Sequence, residues 1–220
     1  MENAADFDLS LWKQGLGAVP GHVWTRTTLR TLVLADNGLT EISERVGELR
    51  ALRMLDLGHN RLSQVPDSLG DLAGLSDFLY LHDNALSELP PSLGRLVRLR
   101  YLNISENAFE ALPEAVTNMS GLIELRVTDN RLTDLPASIS KLTRLRELHL
   151  RNNALTTLPA AVGALAELRQ VDLRGNPISS LPETLLDLPR LDKLDLRWVT
   201  TLTPPAWFAE LEAKGCAIYL

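Results

Sequence analysis

The sequence predicts an α/β solenoid, with a curved parallel β-sheet on its concave face and short helices or turns on its convex face. Three observations predict it. Seven asparagines (Asn37, Asn60, Asn84, Asn107, Asn130, Asn153 and Asn176) recur at spacings of 23, 24, 23, 23, 23 and 23 residues. Leucine or an equivalent repeats in fixed register around each, as Leu145, Leu148, Leu150 and Leu155 do about Asn153. A proline opens the second half of most units, and self-similarity at such a period marks a stacked array.

The elements follow in chain order. Residues 1–28 form a partial unit that caps the array, in which Leu9, Leu11, Leu16, Val19, Pro20 and Val23 keep the pattern and Gln14 takes the asparagine position. Residues 29–198 are the repeats. In each, the segment L-x-x-L-x-L alternates apolar and polar residues, the period of a half-buried strand. Leu99, Leu102 and Ile104 show it in one unit, and Leu122, Leu125 and Val127 in the next. The chain returns through segments such as Leu135-Pro136-x-x-Ile139-x-x-Leu142, whose i, i+3 spacing predicts a turn or short helix. Pro20, Pro66, Pro90, Pro113, Pro136, Pro159 and Pro182 fix φ at the start of that segment; Ile42-Ser43 departs from the rule. The asparagine amides offer donors and an acceptor where strand gives way to turn, so their role is structural.

One unit is irregular. Leu75-Ser76-Asp77-Phe78-Leu79-Tyr80-Leu81 is one residue longer than its neighbours. The extra residue is either a bulge that re-aims Phe78 or an insertion absorbed in the bend. Residues 199–220 form the second cap, with Val199 where an asparagine belongs. Pro204 to Gly215 reads as a helix opened by proline and closed by glycine, with Trp207, Phe208 and Leu211 covering the open core. Cys216 to Leu220 alternates like a last strand. The whole chain, 1–220, reads as one domain of about eight and a half repeats.

Composition sets outer bounds. Hydrophobic residues make up 45% but aromatics only 5%, so aliphatic side chains fill the interior. A net charge of −6 disfavours nucleic acid and anionic membranes as partners. No stretch approaches the roughly 20 apolar residues of a spanning helix. Residues 1–6 carry neither a basic region nor an apolar run, so no signal peptide is expected. The single Cys216 has no partner for an internal disulfide, and a cytoplasmic setting is expected.

From about Leu9 to Leu220 the chain resembles the leucine-rich repeat proteins of the 23-residue "LP" type, whose unit is L-x-x-L-x-L-x-x-N-x-L-x-x-L-P-x-x-[LIV]-x-x-L-x-x. Such units occur in bacterial intracellular repeat proteins, Roco-type GTPases and plant intracellular Ras-group-related repeat proteins. The resemblance implies a horseshoe-like solenoid whose concave sheet binds other proteins. Extracellular relatives usually carry cysteine-bearing caps, and this sequence has none.

Function is expected in the strand residues between the leucines, because these leave the core for the concave face. They form three columns, lying six, four and two residues before each asparagine position. Met54, Phe78, Tyr80 and Tyr101 cluster on adjacent strands, the composition of a protein-binding hot spot. A second cluster holds Arg126, His149, Arg151, Arg174 and Arg197. Its arginines either form a solvated ion-pair lattice with Glu124, Glu147, Asp172 and Asp195 or face an acidic or phosphorylated segment of a partner. Trp198, at the end of this cluster, reads equally as part of the cap. His59, His82, Asp56 and Asp83 lie near one rim, but the sequence fixes no coordination geometry, so no metal is expected. No cofactor is expected either.

Phosphate-binding loops, nucleophile elbows and zinc-protease motifs are missing, so the chain reads as non-enzymatic. The expected function is a protein–protein interaction scaffold, as in signalling, that binds another protein on the concave sheet as a monomer. Two other readings stay open. One is the recognition domain of a larger GTPase, kinase or ubiquitin ligase; the other is self-association through a terminal strand edge.

Overall fold

The computed structural model describes residues 7–220; the amino-terminal segment 1–6, which bears the signal-peptide expectation, lies outside them. Among these described residues, ten strands of three residues each form one parallel sheet in strict sequence order. They are β1 (Asp8–Ser10), β2 (Thr31–Val33), β3 (Met54–Asp56), β4 (Phe78–Tyr80), β5 (Tyr101–Asn103), β6 (Glu124–Arg126), β7 (Glu147–His149), β8 (Gln170–Asp172), β9 (Lys193–Asp195) and β10 (Ala217–Tyr219). The expected solenoid is what forms, with a curved, open sheet on one side and short turns on the other.

The middle residue of each strand faces inward. Leu32, Leu55, Leu79, Leu102, Leu125, Leu148 and Leu194 are fully buried, and Val171 nearly so. They belong to one continuous hydrophobic core that runs from Val23 and Trp24 to Leu211 and Cys216. The flanking strand residues fall on the outer face of the sheet, as alternation requires.

Most return segments are single 3₁₀ turns, such as Glu44–Glu48 and Ala137–Lys141. Within Ala137–Lys141 and its borders, Ile139 donates to the Pro136 carbonyl and Leu142 to that of Ile139, at 3.0 Å each. The preceding prolines sit at φ between −59° and −72°, their natural value. Ser43 substitutes differently: its hydroxyl accepts from the Arg45 amide at 3.2 Å, a side-chain cap in place of a locked φ. One return segment is a turn of α-helix, α1 (Glu114–Thr117).

The irregular unit is taken up before its strand. The amides of Ser76, Asp77 and Phe78 all approach the Arg53 carbonyl, at 3.3, 2.9 and 3.4 Å. In the unit before it, only Arg53 and Met54 share the Arg30 carbonyl, at 2.8 and 3.0 Å. The extra residue is therefore absorbed at the strand entry, and Phe78 still aligns with Met54 and Tyr101. At the far end the helix is shorter than the sequence suggests. α2 spans Phe208–Ala213, and Pro204 and Pro205 stay outside it as the approach turn. Phe208 and Leu211 are buried, and Trp207 packs edge-on against Phe208 at 4.8 Å. Cys216 is buried against α2, and burial pushes its thiol up to about 11, which makes it a poor nucleophile.

The asparagines tie each repeat to its neighbours. The Asn153 amide nitrogen donates to the carbonyls of Leu150 (2.9 Å), Arg151 (3.3 Å) and, one repeat back, Val127 (2.8 Å). Its oxygen accepts from the Leu132 amide at 2.9 Å. Asn37, Asn60, Asn84, Asn107, Asn130 and Asn176 repeat the arrangement. The residue before each asparagine turns left-handed, with φ of 49–57° at Asp36, His59, Asp83, Glu106, Asp129 and Asn152 and 68° at Gly175. Asn153→Ala strips four backbone groups of their partner. At about 1 kcal/mol net per hydrogen bond, the expected loss is about 4 kcal/mol in urea unfolding.

Candidate partner-binding surface on the concave sheet

Strand register fixes the columns. Thr31, Met54, Phe78, Tyr101, Glu124, Glu147, Gln170 and Lys193 are successive partners across β2 to β9. Val33, Asp56, Tyr80, Asn103, Arg126, His149, Asp172 and Asp195 form the second row. The expected alignment holds for these two columns; the third, with Arg151, Arg174 and Arg197, lies just beyond the paired residues.

In the amino-terminal half the structure gathers the aromatic residues onto two strands. Phe78 stacks on Tyr80 with centroids 5.9 Å apart and planes 10° from parallel. Tyr101 leans on both, 5.4 Å from Phe78 and 5.1 Å from Tyr80. Met54 abuts Phe78 in the register and is half-buried. Phe78 is 42% exposed, so it does not turn into the core. Burial pushes the Tyr101 hydroxyl up to about 12 and raises Tyr80 as well, with Asp56 the next contributor. Both phenols keep their protons near neutral pH and serve as donors on an apolar body.

The carboxy-terminal half is an ion-pair lattice. Arg126 donates to Glu124 at 2.5 Å, and Arg151 to Asp129 at 3.0 Å. Arg174 forks onto both oxygens of Asp172 (2.9 and 2.6 Å), and Arg197 does the same to Asp195 (2.9 and 2.7 Å). His149 is half-buried, with Nε2 3.2 Å from Glu147 and 3.7 Å from Glu124. Every arginine of the candidate cluster thus has a carboxylate from its own chain. Asp129 had no place in the sequence reading because it lies outside the three columns, in the left-handed position before Asn130. Arg126, His149, Arg151, Arg174 and Lys193 nonetheless border a common hollow of about 230 Å³.

Trp198 is not part of the cap. It is 67% exposed, and the Arg174 guanidinium lies 5.7 Å from its ring. Tyr219 of β10 likewise receives Lys193 at 5.3 Å and Arg197 at 5.7 Å. Sequence reasoning passed over Tyr219 because the columns were followed only to Lys193, Asp195 and Arg197, and the last strand was read as a final strand with a self-association edge.

Asp195 anchors the lattice, covered by Arg174, Lys193 and Arg197. Burial acts to raise its pKa, but hydrogen bonds from Arg197 and Lys193 and the charge of Arg174 outweigh it and hold it below the ordinary 3.8. Asp129 is lowered in the same way, burial being outweighed by hydrogen bonds from Asn152 and Arg151. With the folded pKa depressed, the unfolded chain takes up protons first as pH falls. Stability from these groups is therefore full above about pH 4 and is lost below it. Asp195→Asn should lower Tm at pH 7 and shrink the drop in Tm between pH 7 and pH 3; an unchanged drop would contradict the assignment.

Comparison with known proteins accords with this geometry. The leucine rich repeat family matches residues 27–86, 120–178 and 143–198. No curated protein matches. Among solved structures, the leucine-rich repeat domain of the type III effector XopL superposes with a TM-score of 0.80 at 23% identity, covering 99% of this chain and 77% of that one. A leucine-rich repeat protein of Leptospira interrogans gives 0.76 at 24%, covering 99% and 69%. The plant peptide hormone receptor RGFR1, solved in complex with RGF2, gives 0.76 at 34%, with 87% of this chain matched to 32% of the receptor. Among the described residues no helix is long and apolar enough to cross a membrane. Repeat period, asparagine network, sheet order and family match agree: the chain belongs to the leucine rich repeat family.

Proposed function

We propose that the concave sheet binds a partner protein, with Met54, Phe78, Tyr80 and Tyr101 as its apolar anchors. One observation carries this reading. Three aromatic rings lie within 5.1–5.9 Å of one another on an outward face, where none of them fills the core. Exposed aromatic clusters of this kind supply most of the energy at protein interfaces. The strands are preformed, so little ordering entropy opposes docking. The likeness to RGFR1, a plant peptide hormone receptor solved in complex with RGF2, supports a protein or peptide ligand.

Arg126, His149, Arg151, Arg174 and Arg197 take a different part from the anchors. Because internal carboxylates already neutralise the arginines, an acidic or phosphorylated partner segment has to compete with Glu124, Asp129, Asp172 and Asp195. Such a lattice contributes orientation and association rate more than affinity. We place the protein in the cytoplasm, as a non-catalytic signalling scaffold, on the strength of its single, buried cysteine, which leaves its caps without a disulfide.

The test is affinity capture from the native lysate, followed by titration of the captured protein. Tyr80→Ala should weaken binding by about 2 kcal/mol, roughly thirtyfold, with circular dichroism unchanged. Arg174→Glu should chiefly slow association and alter its salt dependence. Unchanged affinity of the Tyr80 variant would remove the aromatic cluster from the interface.

A further inference from the structure

We propose that His59 and His82 form a two-imidazole binding site for a zinc-class divalent ion at the rim of the concave sheet. Spacing alone puts these residues near one rim; the side-chain geometry brings them to one point. The Nε2 atoms of the two rings face each other at 3.2 Å, with the planes 79° apart. Two imidazole nitrogens on one tetrahedral ion, each about 2.05 Å from it, lie about 3.3 Å apart. The observed separation is already that of a chelate.

The surroundings prepare both nitrogens. His59 occupies the left-handed position before Asn60, and Asp83 occupies the same position one repeat on. The Asp83 carboxylate lies 2.7 Å from His59 Nδ1. A carboxylate accepts, so Nδ1 carries the proton and the lone pair sits on Nε2, turned towards His82. This is the outer-shell arrangement that orients metal-ligating histidines. His82 leans back over the preceding strand because Gly58 leaves room: a Cβ there would stand 2.3 Å from its ring. Its Nδ1 is buried without a partner, so no hydrogen bond locks the tautomer. Without an ion, His82 Nε2–H donates to His59; on coordination that proton moves to Nδ1 and both Nε2 lone pairs face the ion.

Charge favours a cation here. Asp56, Glu106 and Asp83 place negative potential on the His82 ring. Asp36 borders the adjoining hollow with His59 and Asp83; Arg61 also lines it, and Lys13 is paired with Asp36. His59 is half exposed, which leaves the remaining coordination positions open to water or to a partner's carboxylate. The trio of Glu124, Glu147 and His149 also brings ligand atoms within 4.8 Å of one another. It is a poorer candidate, because Arg126 already holds Glu124 and further cations border the hollow beside it.

Tag-free full-length protein should be titrated with zinc chloride in competition with a chromogenic chelator. The expected result is one saturable equivalent. His59→Ala and His82→Ala should each weaken binding at least tenfold, and Asp83→Asn about tenfold, while Glu124→Gln leaves it unchanged. Circular dichroism confirms that each variant folds, and the zinc-dependent rise in Tm should vanish in both histidine variants. No saturable binding, binding that survives loss of either histidine, or binding lost with Glu124→Gln would each overturn the proposal.

Discussion

The amide of the recurring asparagine is the interaction on which the rest of the structure depends. A three-residue strand followed at once by a left-handed turn exposes carbonyls and amides that no regular ladder reaches. Left unpaired, each buried group would cost about 1–3 kcal/mol, and a solenoid repeats that cost in every unit. One asparagine side chain satisfies its own turn and the turn of the repeat before it. Asn153, for example, serves Leu150 and Arg151 locally and Val127 and Leu132 across the repeat boundary. This bridging keeps the strands in register, and register in turn aligns the columns of the concave face.

A further consequence lies in the residue before each asparagine. It must adopt positive φ, so short polar side chains that tolerate that region are favoured there. Asp36, His59, Asp83, Glu106, Asp129 and Asn152 stack into a fourth column along the rim. Neighbours within it interact: His59 with Asp83, and Asp129 with Asn152 at 2.7 Å. Backbone sterics chose the residue types, and stacking them about 5 Å apart then created a chemically dense edge. The candidate ion site and the partner of Arg151 both derive from it.

Much of the fold was legible because its signals are periodic. Leucine spacing, proline position and the 23-residue asparagine interval place every strand from β2 to β9. The three columns were legible for the same reason, since alternation decides which side chains leave the core. Side-chain partnerships were not. Arg174 forking onto Asp172, Trp198 standing free beside Arg174, and His82 leaning into the space above Gly58 depend on rotamers and on neighbours 23 residues away. The single extra residue near Ser76 left Phe78 ambiguous until three amides were seen to converge on Arg53. The length of α2 was also overestimated, because two prolines in an approach turn look like a helix start.

The two halves of the concave face therefore differ in kind. The amino-terminal half presents apolar rings packed on one another, with Tyr80 also edge-on to His82 at 5.9 Å, and the carboxy-terminal half presents charges that already have partners. Hydroxyl-radical footprinting with and without the bound partner discriminates between the surfaces most directly, because methionine and aromatic side chains are its best reporters. Loss of reactivity at Met54, Phe78, Tyr80 and Tyr101, with exposed Val97 outside the strands unaffected, is the expected result. Unaltered reactivity at those four residues, with protection on the outer turns instead, would contradict concave-face recognition.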